Sequence, residues 1–143
     1  MSTVQSIQET SSVEQLRDRA MSAAAQGRHD EARSLLESAL AKLSALKLEM
    51  LSDMAAIALR AGDLVQSIGI ARHLVTTVPA DDAARYTLAM GLAAIGSHGE
   101  ALELLDTLNQ GERGKRFHAA MPELGAIAAA EAAGLRSLRL AAA

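Results

Sequence analysis

Apolar residues, chiefly Ala and Leu, are spread along most of the chain and alternate with polar residues in segments that end at turn-forming residues. Ala and Leu lose little side-chain entropy in a helix, so this pattern predicts an all-α chain. Three glycines, Gly27, Gly62 and Gly96, separate the segments at intervals of 35 and then 34 residues. Each glycine begins a similar hexamer, which predicts a repeated helix–turn–helix unit.

Glycine and proline positions predict the boundaries of three hairpins and a terminal helix. We expect hairpins at about 13–43, 48–77 and 82–108 and a C-terminal helix at about 122–140. These elements form a single domain over 13–143, preceded by a disordered tail over 1–12 that is rich in Ser, Thr and Gln. Gly111 and Gly114 are expected to interrupt the chain before the terminal helix.

The division between the first two hairpins depends on the repeat alone. No Gly or Pro lies between Arg28 and Ala61, so periodicity by itself permits one helix of more than 30 residues. The repeat register instead predicts a turn near residues 44–46, where the extra residue of the longer interval also falls.

Small residues recur at two positions of each repeat, where they allow the two helices of a hairpin to cross closely. They are Ala20, Ala55 and Ala89 in the first helices and Ala32, Ser67 and Ala101 in the second. Together with the mid-repeat glycines, this pattern resembles the tetratricopeptide-repeat (TPR) family over residues 13–110. The resemblance implies a right-handed solenoid of about three TPR-like hairpins plus a C-terminal helix. The family's large aromatic positions are missing here, and a generic Ala/Leu helical bundle is the alternative.

In TPR proteins the first helices of the repeats line a concave, protein-binding groove. The resemblance assigns to this groove Arg17, Met21, Ala25, Ala56, Leu59, Arg60, Tyr86, Met90 and Ala93. Such a mostly apolar face suits an amphipathic helix or an apolar strand of a partner. A clamp for a terminal carboxylate is not expected, because Met21 and Ala56 stand where its polar groups are needed. Burial of the same face by the C-terminal helix, or in a homodimer, is the alternative.

A narrower resemblance is to small chaperones of type III secretion systems, which guard the needle subunit or translocator proteins. It is carried by Arg60-Ala-Gly-Asp63, by the stretch from Gly96 to Glu103, and by Phe117-His-Ala-Ala-Met121. The resemblance implies a chaperone that holds an apolar helical segment of a small secreted subunit, with a co-chaperone as a further partner. A scaffold, an assembly adaptor or a self-associating subunit of a larger complex is the alternative function.

Composition and charge bear on nucleic-acid binding, secretion and membrane insertion. A net charge of −3 and 1% aromatic residues provide neither a basic footprint nor base-stacking side chains, so nucleic acid is not an expected partner. The polar N-terminus does not resemble a secretory signal, and no apolar run approaches the roughly 18 residues that span a bilayer. We therefore expect a cytoplasmic protein without membrane insertion.

Residues for catalysis or metal binding do not form a recognisable pattern. The histidines, at positions 29, 73, 98 and 118, never recur at a spacing of three or four, so no helix face presents two imidazole ligands. Cysteine is absent, and no phosphate-binding loop or nucleophile elbow occurs. From the sequence we expect no enzyme, no cofactor and no metal site.

Overall fold

A computed structural model of the chain describes the backbone of residues 2–142 and the side chains of residues 12–141. Over this range it is all-α, as the sequence predicts. The helices are α1 (Ser2–Ala25), α2 (His29–Ala61), α3 (Leu64–Thr77), α4 (Asp82–Ala94), α5 (His98–Asn109), α6 (Gly111–Ala120) and α7 (Pro122–Ala142). Within the described residues, no helix is both long enough and apolar enough to cross a membrane.

The chain divides into two compact units, Met1–Met50 and Leu51–Ala143. The first unit contains α1 and α2 up to Met50. In it, Ala20 and Ala23 of α1 pack against Ala32 of α2, and all three are at most 7% exposed. Farther along, the Lys42 ammonium donates a hydrogen bond to the Ser12 hydroxyl at 2.7 Å.

The glycines at 27, 62 and 96 each lie in a turn between two helices, which confirms the three predicted turns. Their φ angles are +78°, +80° and +86°, in the left-handed region that favours glycine. At the second turn, Gly62 N–H donates to Leu59 C=O at 3.2 Å and Asp63 N–H donates to Ala58 C=O at 2.9 Å. The same pair of bonds closes the other two turns, so the chain repeats one helix-ending motif three times.

The small residues of the repeat are all buried. Ala20, Ala55, Ala89, Ala32, Ser67 and Ala101 are each between 0% and 7% exposed. At the second turn the helices are close enough for the Ser67 hydroxyl to donate to the Ala55 carbonyl at 2.9 Å. This hydrogen bond satisfies a polar group that burial would otherwise leave without a partner.

Helix α2 continues without a break from His29 to Ala61, so the predicted turn near residues 44–46 is wrong. Without Gly or Pro in this stretch, nothing interrupts the backbone hydrogen bonds of the helix. The sequence analysis placed a boundary at residue 12, between a tail and the first helix. The backbone shows no helix end there, because α1 runs from Ser2 to Ala25. No Gly or Pro lies before Gln26 in that segment either.

In the second unit, α3 packs on α4, α4 on α5, and α5 on both α6 and α7. The core lies between these helices and includes the fully buried Leu105, Leu108 and Phe117. Helix α6 is an element that the sequence did not predict. The interruption expected at Gly114 is wrong: this glycine lies within α6, where a Cβ atom would stand 2.6 Å from the Asn109 carbonyl carbon. Glycine here permits close packing rather than ending a helix.

Replacing Gly62 with Ala should lower the free energy of unfolding by about 1–2 kcal/mol, because a Cβ is strained at positive φ. Gly69, in the exposed interior of α3, has open space around it, so Gly69→Ala should raise the same quantity by about 0.5–1 kcal/mol. Urea unfolding followed by circular dichroism measures both. If both substitutions changed the free energy of unfolding in the same direction, the positive φ assigned to Gly62 would be contradicted.

Replacing Ala89 with Leu should destabilise the second unit by about 1–3 kcal/mol, because Ala89 is 0% exposed among closely packed helices. Ala126 is an exposed alanine of α7, so Ala126→Leu is the matched control and should change stability by less than about 0.5 kcal/mol. The measurement is again urea unfolding. Equal changes in the free energy of unfolding would show that the helices at Ala89 leave room for a large side chain.

Candidate partner-binding surface

The nine residues predicted to line a groove are divided between the two units. Arg17, Met21 and Ala25 lie on α1 in the first unit, and all three are exposed. The other six lie in the second unit, on the C-terminal part of α2 and on α4. None of the nine is fully buried.

The six residues of the second unit, which we call the α2/α4 surface, are Ala56, Leu59, Arg60, Tyr86, Met90 and Ala93. All except the exposed Arg60 are half-buried. On α4, the spacing of four and then three residues from Tyr86 to Ala93 places its three members on one face of the helix. Tyr86 and Ala93 also pack against the core, so part of this surface already serves the fold.

Tyr86 has a packing partner that the sequence analysis missed. Its ring centroid lies 6.5 Å from that of the buried Phe117 on α6, and Phe117 meets the His118 ring edge-to-face at 5.7 Å. Burial raises the pKa of Tyr86, and the negative charge of Glu131 on α7 raises it further. Helix α6 therefore contacts one end of the α2/α4 surface. The composition alone did not indicate this contact, because one Tyr and one Phe need not meet in the fold.

A hydrogen-bonded cluster holds α5, α6 and α7 together beside Phe117. Nε2 of His118 lies 2.7 Å from Oδ1 of Asn109, and Nδ2 of Asn109 donates to the Ala128 carbonyl at 3.2 Å. A Cβ on Gly125 would stand 2.9 Å from the His118 ring. His118 and Asn109, the chain's one asparagine, therefore serve to join these helices.

Charged residues gather at the N-terminal end of α4. Asp81 caps the helix by accepting from Ala84 N–H at 3.0 Å. Arg113 of α6 lies 3.8 Å from Asp82, and the Arg85 guanidinium donates to the Pro79 carbonyl at 2.8 Å. The pKa of Arg85 is lowered chiefly by burial and then by the nearby positive charge of Arg113. Arg113 is thus the arginine that pairs with Asp82, while Arg85 bonds to a backbone carbonyl, and two arginines and two aspartates meet at this end of α4.

A depression lies between α5 and the end of α7. It is an open cleft of about 520 Å³ bordered by Leu102, Asp106, Arg136, Arg139 and Leu140. Arg136 pairs with Asp106 across it. This ion pair fixes the cleft's polar side and leaves Leu102 and Leu140 as its apolar lining.

None of the family models, curated proteins or solved structures compared with the chain matches it. The functional conclusion therefore depends on the residues and on their arrangement in the fold.

The phenol of Tyr86 should titrate with a midpoint above its ordinary value of 10.0. Because the folded state favours the neutral phenol, the contribution of Tyr86 to stability is complete below the ordinary pKa. It is lost as pH rises through the folded pKa. Absorbance of the phenolate against pH measures the midpoint without ambiguity, since Tyr86 is the one tyrosine.

Glu131→Gln should lower this midpoint, because it removes the negative charge that raises the pKa of Tyr86. Glu123→Gln is the matched control on an exposed position of the same helix and should leave the midpoint unchanged. A wild-type midpoint equal to that of a free tyrosine would contradict the contact between α4 and α6.

Proposed function

We propose that the chain is a TPR-like protein-binding module and serves as a cytoplasmic chaperone for an apolar helical segment of another protein. The supporting observation is the threefold recurrence of one turn motif, at Gly27, Gly62 and Gly96, with buried small residues at matching positions on both sides. The turn motif alone is common at helix ends, and its recurrence together with small residues at matching positions is what favours a repeat. Stacked helical hairpins act mainly by presenting an extended surface to another protein.

A right-handed solenoid is the arrangement that we propose for the second unit. In a solenoid each hairpin contacts only its neighbours along the chain. The packing of α3 on α4, α4 on α5 and α5 on α6 and α7 agrees with that rule. On this proposal α6 and α7 form one more hairpin, and α7 covers the apolar side of α5 with Ala128, Ala132 and Leu135, all buried.

The α2/α4 surface is the proposed binding site. Leu59 and Met90 are half-buried apolar side chains that a docked helix would remove further from water. Removing apolar area from water contributes roughly 25 cal/mol per Å². Methionine has an unbranched, polarisable side chain and can adjust to the residues that meet it. These properties suit the apolar face of an amphipathic helix.

The proposed mechanism is protection by occupancy. A subunit that polymerises through an apolar helix assembles whenever that helix is exposed. Covering the helix keeps the subunit monomeric, and release returns it to assembly. The resemblance to type III secretion chaperones suggests a small helical secreted subunit as the ligand, with a co-chaperone as a second partner.

A permanent scaffold or self-associating subunit is the second candidate. It is favoured by the large apolar side chains that the first unit exposes, among them Met21 and Leu40, at 60% and 62%. A scaffold keeps its partner in the mature assembly, whereas a chaperone releases it. The two functions therefore differ in the fate of the complex.

Affinity capture of the tagged protein from its own cells, followed by reconstitution with the purified partner, tests the proposal. We expect a small helix-rich protein in near equimolar amount that assembles alone and stays monomeric in the complex. Recovery of the chain only in a stable large assembly would favour the scaffold instead.

Substituting Leu59 and Met90 together with Glu should weaken binding of that partner at least about tenfold, because two charges would enter an apolar contact. Val65→Glu, on an α3 side chain that is 87% exposed and outside the surface, is the control and should bind as wild type. Isothermal titration measures the affinities, and circular dichroism checks that helicity is retained. Unchanged affinity in the double variant would refute this site.

A further inference from the structure

Large apolar side chains line one side of α2 and are exposed. They are Leu36, Leu40, Leu43, Met50, Met54 and Ile57, each between 39% and 63% exposed. Their spacing alternates between four and three residues, with Lys47 at the remaining position of the series. We call these seven positions the α2 seam. Alternation of four and three is the heptad repeat of a coiled coil, and the seam spans three heptads.

The first unit does not bury the part of the seam that lies in it. Among the described side chains of this unit, every buried apolar residue is an alanine: Ala20, Ala23, Ala32 and Ala39. Alanines bury little apolar area from water, and although Leu35 packs beside them, Leu36, Leu40 and Leu43 of the same helix remain exposed. Small units with so thin a core are usually stabilised by association.

We propose that the α2 seam binds the α2 seam of a second copy of this chain, as an antiparallel two-stranded coiled coil. The part of the seam from Leu40 to Ile57 is about 26 Å long at 1.5 Å per residue. Apolar residues that are exposed over such a length along one helix constitute an interaction surface.

The antiparallel register is self-complementary. When Leu40 faces Ile57 of the second copy, Leu43 faces Met54 and Lys47 faces Met50, and the two-fold axis generates each pair again. Every layer then contains an apolar side chain from at least one copy. The aliphatic part of the Lys47 side chain can pack in its layer while the ammonium group reaches solvent at the edge of the two-helix interface.

Charge selects this orientation and the second copy as occupant. In the antiparallel register Lys47 lies beside Asp53 of the second copy, and the pair occurs twice. Asp53 is exposed on α2 and therefore accessible. A parallel pair would instead place the two Lys47 side chains in the same layer, where like charges repel.

This interface is distinct from the proposed chaperone site. The seam shares no residue with the α2/α4 surface, and its test uses the purified chain with no ligand. Failure of one proposal therefore leaves the other standing.

Sedimentation equilibrium of the full chain tests the dimer. We expect a mass twice the 14.9 kDa of one chain, and a shift of dimerisation to at least about tenfold higher concentration in a Leu40→Glu, Leu43→Glu variant. Val65→Glu, which adds a negative charge outside the seam, should dimerise as wild type. A wild-type chain that stays monomeric overturns the proposal, as does unchanged dimerisation of the double variant. Capture of a foreign protein through the seam by a chain that is itself monomeric overturns it too.

A charge exchange tests the orientation. Lys47→Asp and Asp53→Lys should each weaken the dimer roughly tenfold, since each places like charges in contact twice. The variant with both exchanges restores the opposite charges and should recover most of the loss. Failure to recover, with helicity unchanged by circular dichroism, would overturn the antiparallel register.

Discussion

Close approach of two helix backbones is the constraint on which the rest of the fold depends. It is most visible where the Ser67 hydroxyl reaches the Ala55 carbonyl across the crossing of α3 and α2. Only small side chains fit at such a crossing. Helices that lie so near also need a short connection, and Gly62 provides it by adopting a positive φ that ends one helix two residues before the next begins. The turn and the crossing therefore require each other, and the chain repeats them together.

The same constraint has different consequences in the two units. In the second unit, α5, α6 and α7 add large side chains such as Leu105 and Phe117, which fill the space beside the small residues. The first unit has α1 and part of α2, and among its described side chains the fully buried apolar ones are alanines. Leu36, Leu40 and Leu43 consequently remain at the surface. An apolar exterior is thus the direct result of an interior built for close approach, and it favours association as part of the native state.

The sequence predicted the features that depend on single residues with narrow requirements. The sequence predicted the turns at Gly27, Gly62 and Gly96 because few residues other than glycine adopt a positive φ. It predicted the burial of the six small residues because few side chains fit a tight helix crossing. The course of α2 could not be read from the repeat, because an assumed period placed a turn where no residue breaks the helix. That false turn also divided the leucine series, and so concealed the seam. Helix α6 was missed because Gly114 was interpreted as a breaker, whereas its role depends on the distance to Asn109, which is a tertiary property. Of the residues predicted to line a groove, Tyr86 and Ala93 prove to be shared with the core.

That sharing links two processes. Tyr86 contacts Phe117 on α6 and also belongs to the α2/α4 surface, so its position depends on whether α6 and α7 are docked. Any molecule whose affinity depends on the docked position of Tyr86 must also favour docking of these helices, by the same factor. The C-terminal helices then act as an effector held on the same chain: their local opening would weaken a bound helix without any residue of theirs touching it. If the α2/α4 surface is the binding site that we propose, opening of α6 therefore changes that site by removing the ring that packs against Tyr86.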